Sequence, residues 1–313
     1  MSDIGIVIVT YNSGKQIGPC LDAAVGSGAD IVVVDNGSTD GTLTEIAQRP
    51  VSLIANPSNR GFAAAVNQGF SALSCEHILL LNPDAVLQTG LEALREACDL
   101  PGSAGAGGLL LDVNGAPQIG FMVRGRTSAP ALILEVLLLN RLWPNNQVNR
   151  RYRCLQLDYS KRMKVEQPAG AFLMVRRAVW QELGGFDEGF SPLWFEDVDF
   201  CRRAMIRGFS LYYVPQAVAK HTGAHSIQGL SVEMRRFYWY RSLLRYAARH
   251  FRPLGFRTVA LAVVAGSFLR MSLESAFQRS LRPIAIYGKV VRFACRCCLF
   301  GWRDEALSLG PPI

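Results

Sequence analysis

The sequence predicts an α/β fold with a mostly parallel central sheet and helices on both faces. Three observations carry this reading. Short apolar, β-branched runs alternate with segments of helical spacing through the first part of the chain. Several of these runs end in polar residues, where ligands gather in sheets of this kind. A chain of 313 residues with 50% hydrophobic content can bury one large α/β domain plus an appendage, or two domains.

Residues 4–10 and 31–35 are the clearest strands, and 51–55 and 77–82 are shorter candidates of the same kind. Residues 15–25, 42–48 and 62–73 between them have helical spacing and composition. In "VVVDNGSTDGT", Asp35 closes a strand. Gly37 permits a tight turn, and Ser38 or Thr39 can cap the next helix. Asp35 itself either caps that turn or accepts hydrogen bonds from a ribose or a base. No GxGxxG run is present, which argues against a dinucleotide fold.

In "ILLLNPDAVL" a buried strand delivers Asn82, Pro83 and Asp84 to its end. The stretch is either a plain turn or a site where Asp84 offers oxygen to a hard divalent ion that takes its other ligands from phosphates and water. Further on, "GGFDEGFSPLWFEDVDFCRR" starts as a Gly-rich, mobile loop and enters a helix whose first turn holds Glu196, Asp197 and Asp199. The unpaired N–H groups of a helix start favour acids there. They do not account for Trp194 and Phe195, which suit a hydroxyl-bearing substrate that is stacked and then deprotonated. His221 follows a strand-like stretch, where it can complete a metal site or touch a phosphate, with His225 as its substitute.

The net charge of +8 is unevenly placed: residues 235–303 hold fourteen Lys or Arg against one acid, Glu274. Nucleic acid, an anionic membrane or a diphosphate-bearing substrate would each answer such a surface. The apolar run 258–269, between Arg257 and Arg270, is twelve residues long, short of the roughly 20 needed to span a bilayer. Interfacial attachment fits it better. A second run, 131–143, is interrupted by Glu135, Asn140 and Arg141. On "RRFYWYRSLLRYAARHF", Phe237, Tyr240, Leu244, Ala247 and Phe251 form one helix face. Arg236, Arg245 and Arg249 lie off it, placed to meet anionic head groups or a diphosphate. Eight cysteines in a chain this long are too few for a disulfide scaffold and point to a reducing compartment; the close group Cys295, Cys297 and Cys298 could hold a metal or a lipid, though a metal cluster would want further ligands nearby. The first residues have no basic leader and only a short apolar run before Thr10, and do not read as a signal peptide.

Six motifs in order give the chain a specific resemblance. They are "IVIVTYNS" at 6–13, "VVVDNGSTDGT" at 32–42, "NRGFAAAVNQG" at 59–69, "LLLNPDA" at 79–85, "PAGAFLMVRR" at 168–177 and "GGFDEGFSPLWFEDVDFCRR" at 184–203. Together the chain resembles the family 2 glycosyltransferases, inverting enzymes of the GT-A fold. It is most similar to the rhamnosyltransferase-like branch of bacterial cell-envelope polysaccharide assembly. The resemblance implies a catalytic domain over residues 1–230, with a nucleotide-binding half to about 112 and an acceptor-binding half after it. A helical, basic region follows over 231–313.

The resemblance also implies roles. Thr10, Tyr11, Asn12 and Asp35 would line the nucleotide pocket, and Asn59, Gly61, Phe62 and Asn67 would shape the donor site. Asp84 looks like the metal-binding end of the family's Asp-any-Asp motif, with Asn82 at its first position. Gly170 would keep the acceptor region open and Trp194 would pack on substrate. Asp197 looks like the general base, Glu196 would assist acceptor binding, and His221 would act at the metal or diphosphate. The cofactor implied is Mg²⁺ or Mn²⁺. The implied partners are a nucleotide-sugar donor, a saccharide or polyprenyl-diphosphate-linked acceptor and an anionic membrane surface, with no nucleic acid. The implied location is cytoplasmic, peripheral to the inner face of the membrane. The chain lacks the Gln-any-any-Arg-Trp motif of processive synthases, so transfer of one sugar or a few is expected.

Overall fold

The structure, a computed structural model, describes residues 3–223 and 231–302; His225 lies outside the described residues. The amino half alternates strand and helix. It runs β1 (Ile4–Thr10), α1 (Ile17–Gly26), β2 (Asp30–Asp35), α2 (Thr42–Ala47), β3 (Ser52–Ala55), α3 (Phe62–Ala72) and β4 (His77–Leu81). Every residue of β1 is buried. Ile4, Ile6 and Ile8 pack on Ile17, Cys20 and Leu21 of α1 on one face. Val7 and Val9 pack on Ala63, Val66 and Phe70 of α3 on the other. A strand sandwiched in this way must be apolar at both side-chain parities, which is why its sequence reads as one continuous run.

Then come β5 (Ala85–Thr89), α4 (Leu91–Cys98), β6 (Ser103–Leu111), β7 (Val123–Arg124), α5 (Ala129–Val136), α6 (Leu139–Leu142) and α7 (Gln147–Tyr152). They lead to β8 (Met163–Val165), β9 (Gln167–Pro168), β10 (Phe172–Arg176), α8 (Arg177–Leu183), α9 (Glu196–Ile206) and β11 (Ser210–His221). The sheet order is β3-β2-β1-β4-β10-β6-β11-β5, with β8 beside β11. The sheet is mixed, not mostly parallel. β1–β2, β1–β4, β2–β3 and β6–β11 pair parallel. β10 runs antiparallel to both β4 and β6, and β11 antiparallel to β5 and β8. Strand–helix alternation makes parallel crossovers only as far as β4; the longer, irregular connections after it return strands in either direction.

Three helices complete the described chain: α10 (Val232–His250), α11 (Pro253–Gln278) and α12 (Arg282–Phe300). The α10 stripe faces inward, with Phe237, Tyr240, Leu244 and Ala247 buried in a second apolar cluster that includes Phe190 and Phe195 of the domain below. Arg236, Arg245 and Arg249 are not free to meet head groups. Arg236 pairs with Glu274 at 2.6 Å, Arg245 with Asp187 at 3.0 Å, and Arg249 with Asp187 at 2.6 Å and Asp199 at 3.1 Å. The run 258–269 is the middle of α11, a 26-residue helix long and apolar enough by composition to cross a membrane, so the expected shortfall in length does not hold. The run 131–143 breaks into α5 and α6 at Leu138, whose φ is 63°. The Gly-rich segment read as mobile is anchored. Asn67 accepts from Phe186 N at 3.0 Å and donates to Phe186 O at 3.0 Å, while Asp187 holds the two arginines.

Candidate active site

β2 and β3 lie on one side of β1 and β4 on the other, so chain direction across the sheet reverses at β1. Open α/β sheets form their crevice beyond the carboxyl ends of the strands at such a point. A cavity of about 780 Å³ sits there, and Thr10 and Tyr11 after β1 and Asn82 and Asp84 after β4 line it. So do Asn59 and Phe62 at the start of α3, Gly170, Trp194, Glu196, Asp197 and His221. Asn12, Asp35, Gly61 and Asn67 lie outside this lining.

Thr10 and Asp35 stand opposite each other in the β1–β2 register. Both are buried, and Thr10 Oγ1 and Asp35 Oδ1 each lack a hydrogen-bond partner. Two orphaned polar atoms side by side are costly to bury unless a ligand satisfies them. Asp35 Oδ2 accepts from Ser38 N at 3.0 Å, which orients the carboxylate. Neither Ser38 nor Thr39 caps α2. Ser38 Oγ accepts from Asn12 N and Thr39 N donates to Asn12 Oδ1, both at 2.8 Å, and Asp40 instead accepts from Thr42 N at 3.0 Å and Gly14 N at 3.1 Å. Asn12 therefore ties two strand-end loops together. Asn59 accepts from Gly61 N and from Asn36 Nδ2, both at 2.9 Å, and so shapes the turn into α3.

Sheet pairing brings Asp84 and His221 together. β11 pairs antiparallel with β5, and His221 stands opposite Ala85, the neighbour of Asp84. Asp84 Oδ1 and His221 Nε2 lie 3.5 Å apart, both buried and neither hydrogen-bonded among the described residues. Gln118 explains the vacancy at nitrogen. Its Nε2 donates to His221 O at 2.8 Å, which turns Oε1 toward His221 Nδ1 at 2.9 Å. Nδ1 then carries the proton, and Nε2 presents its lone pair toward the carboxylate. Burial holds the imidazole below its ordinary value, against the opposing pull of Asp84. Two lone-pair donors facing across 3.5 Å, with the imidazole held by its other nitrogen, fit a divalent cation. Phe121 stacks on His221 at 5.2 Å and shields it. Among the described residues Glu76, His77 and Asp99 also gather acids and a histidine, but at the amino end of β4, the opposite end of that strand from the cavity.

Asp197 enters on the first turn of α9. Its Oδ2 accepts from Gly170 N at 2.9 Å and Oδ1 from Val198 N at 2.8 Å. A side chain at Gly170 would place its Cβ 3.0 Å from Asp197 Cβ, so any larger residue would press on this carboxylate. Burial pushes Asp197 above the usual carboxylate range, against the two N–H donors and the charge of Arg124. Glu196 is raised well above it, by burial first and then by Asp197, and its Oε2 has no partner. Trp194 and Phe195 precede this turn with φ of 76° and 73°, left-handed backbone that side chains rarely adopt. Trp194 and Phe195 both line the cavity, Phe195 with its ring also packed against Tyr246, while Phe200 lies in the core.

The three acids of the helix start thus separate into different tasks. Asp199 is fully buried and turned away, paired with His250 at 2.7 Å and Arg203 at 2.7 Å. Sequence reasoning missed Gln118, Phe121, Arg124 and Trp239, all of which line the cavity. They come from irregular segments or from a helix read for its stripe. The only signal was polar or aromatic residues close to Gly120 and Gly125 in a stretch without periodicity.

A model of the family described as glycosyltransferase like family 2 matches residues 2–242. The N-acetylglucosaminyl-diphospho-decaprenol L-rhamnosyltransferase of Mycobacterium tuberculosis is 29% identical over 322 aligned residues, spanning 91% of this chain and 99% of its own. Among solved structures, S. aureus TarS 1-349 in complex with UDP-GlcNAc superposes with a TM-score of 0.58 at 16% identity, over 94% of this chain and 81% of its own. The mannosyltransferase PcManGT from Pyrobaculum calidifontis, in complex with GDP-Man and Mn²⁺, gives 0.53 at 17% identity over 96% and 88%. At these identities the likeness is one of fold.

Proposed function

Because the chain belongs to glycosyltransferase family 2 and has a GT-A-like fold, we propose that it moves one sugar from a nucleotide-sugar donor to a hydroxyl of a saccharide or polyprenyl-diphosphate-linked saccharide, with inversion. The observation that carries this reading is the cavity itself. Along one wall stand the orphaned Asp84–His221 pair and the sheet-end loops, and in another lies the raised, N–H-bound carboxylate of Asp197.

Asp197 takes the proton from the acceptor hydroxyl as that oxygen attacks the anomeric carbon. One C–O bond forms to the acceptor and one breaks to the nucleoside diphosphate, which leaves from the opposite face. The Gly170 and Val198 N–H groups fix the carboxylate, and Glu196, which burial and then Asp197 push toward its protonated form, would lie where it can meet an acceptor oxygen. Asp84 and His221 would hold the divalent ion, and Gln118 fixes the lone pair that His221 offers. When bound, that ion neutralises charge developing on the departing diphosphate. Thr10 and Asp35, with Tyr11 and Asn12 beside them, would meet the nucleoside; Asn59, Gly61 and Phe62 would border the donor; and Asn67 holds the loop behind them.

The donor proposed is dTDP-rhamnose. The motif series supports it, and so does the relative of nearly equal length named as an N-acetylglucosaminyl-diphospho-decaprenol L-rhamnosyltransferase. UDP-galactofuranose and other UDP- or GDP-hexoses are the alternatives. A donor panel scored by product formation on a lipid-linked N-acetylglucosamine acceptor tests the reading. Product from another donor alone would overturn the sugar, and no product from any donor would overturn the activity.

A further inference from the structure

A solvated surface helix normally turns charge outward. α11 does the opposite. Its inner side packs on α5, α10 and α12. Its outer side runs through Leu254, Leu261 and Phe268 at seven-residue steps and widens over the last turns to Leu273 and Phe277, with Leu281 following in the turn to α12. Phe277 is 92% exposed. Among the exposed residues of α11 the only charged one is Arg257. Exposed arginines stand near both ends, Arg252 and Arg257 on either side of Leu254 and Arg279 and Arg282 on either side of Leu281.

We infer that this outer face of α11 is a membrane-docking surface, which lies in the head-group boundary of an anionic bilayer with its apolar stripe buried and its terminal arginines on lipid phosphates. Apolar area flanked by long cationic side chains that reach back to the interface is the pattern a bilayer surface recognises. What α11 packs on argues against crossing. The neighbouring α10 carries Arg245 and Arg249 in ion pairs with Asp187 and Asp199, and a span would draw that network into hydrocarbon. The surface is also joined to the cavity. Val136 of α5 packs so closely on α11 that a Cβ at Gly266 would come 2.1 Å from its carbonyl oxygen, and Arg270 donates to the carbonyls of Glu135 and Val136. On the same short helix, Leu132 and Glu135 line the cavity. A lipid-linked acceptor would therefore be met beside the membrane. In this respect the inference deepens the proposed function and rests on it, although the surface is read independently of it.

The test is co-sedimentation of the full chain with vesicles of phosphatidylcholine alone and of phosphatidylcholine with phosphatidylglycerol, at low and high salt. It is run alongside transfer to a short, water-soluble acceptor analogue. The wild type is expected to sediment with the anionic vesicles, less so in high salt, and to be released by an alkaline wash. Leu261→Glu with Phe268→Glu, both on the exposed stripe, should bind at least roughly tenfold more weakly and transfer to the soluble acceptor at the wild-type rate. The inference is overturned if the wild type stays in solution with both vesicle types at low salt, or if the double variant sediments as the wild type does. It is overturned equally if the stripe proves to bury itself in a dimer that the double variant dissociates and that ignores lipid. Retention through the alkaline wash would overturn the interfacial placement. Vesicle binding without transfer to any acceptor would sink the functional reading and leave the surface standing; transfer without vesicle binding would do the reverse.

Discussion

His221 Nε2 faces Asp84 Oδ1 across 3.5 Å, and the two residues come from strands paired at the far edge of the sheet rather than from one motif. Among the described residues neither atom has a hydrogen-bond partner, and Gln118 fixes the proton on the opposite ring nitrogen. Gln118→Leu should therefore weaken binding of Mn²⁺ with nucleoside diphosphate by about 10- to 100-fold, the usual loss when a ligand's outer partner is removed. Gln118→Glu keeps an acceptor for Nδ1 and should lose less. Calorimetric titration of the ion in the presence of nucleoside diphosphate distinguishes the three proteins; equal affinities would remove Gln118 from this role.

Asp84→Ala should weaken binding of an intact nucleotide-sugar when Mg²⁺ or Mn²⁺ is present and change little when it is absent. Because one donor at the pair is an imidazole nitrogen, Mn²⁺ should support binding at lower concentration than Mg²⁺, which prefers oxygen and holds its waters. Donor titrations with each ion check both points. Identical metal dependence in variant and wild type would reject Asp84 as a ligand.

Asp197→Asn should lower transfer by roughly 10² or more while leaving donor affinity in place, since it removes the proton acceptor and keeps the shape. The pH profile gives a second reading. A base must be ionised to act, and burial raises this carboxyl. Activity should therefore fall on the acid side at a pH above the ordinary aspartate value of about 3.9, and that limb should be absent from the residual rate of the variant.

Asp199 sits two residues away and has the opposite electrostatics. Burial alone would raise it, but the hydrogen bond from His250 and the charges of Arg203 and Arg249 outweigh burial and hold it low. Its stabilising contribution is present above the unfolded aspartate value and is lost as pH falls through the lower folded one. Asp199→Asn should destabilise the protein by about 3 kcal/mol at neutral pH, because it strands buried cationic partners. Thermal melts across pH would show the gap between variant and wild type closing in acid.

What the sequence made legible was local. The strand-end acids Asp35 and Asp84 and the helix-start acid Asp197 are each announced by an apolar run or a cap pattern next to them in the chain, and β1 to β4 follow from periodicity alone. What it hid depends on distant pairing. The antiparallel β10 returns from an irregular connection, so nothing in its composition fixes its direction. Gln118 and Arg124 lie where no period marks them. Arg245 and Arg249 of α10 look solvent-facing on a helical projection because their acidic partners, Asp187 and Asp199, are about 50 to 60 residues earlier, and the partner of Arg236, Glu274, lies on the next helix. Read alone, α10 gave the correct stripe and the wrong surroundings.

The placement of β11 also bears on how the molecule is made. The Thr222–Asp84 hydrogen bonds close a separation of 138 residues, and β11 is wedged between β6 and β5 and is the last strand of the sheet to emerge from the ribosome. A pairing of such high contact order forms late. The loops after β1, β2 and β4 can assemble early in synthesis, but a nascent chain ending before residue 210 has no imidazole opposite Asp84. On the proposed function, competence to hold a charged leaving group would therefore arrive in one step with closure of the sheet edge, and a half-synthesised chain would be kept from acting on a donor.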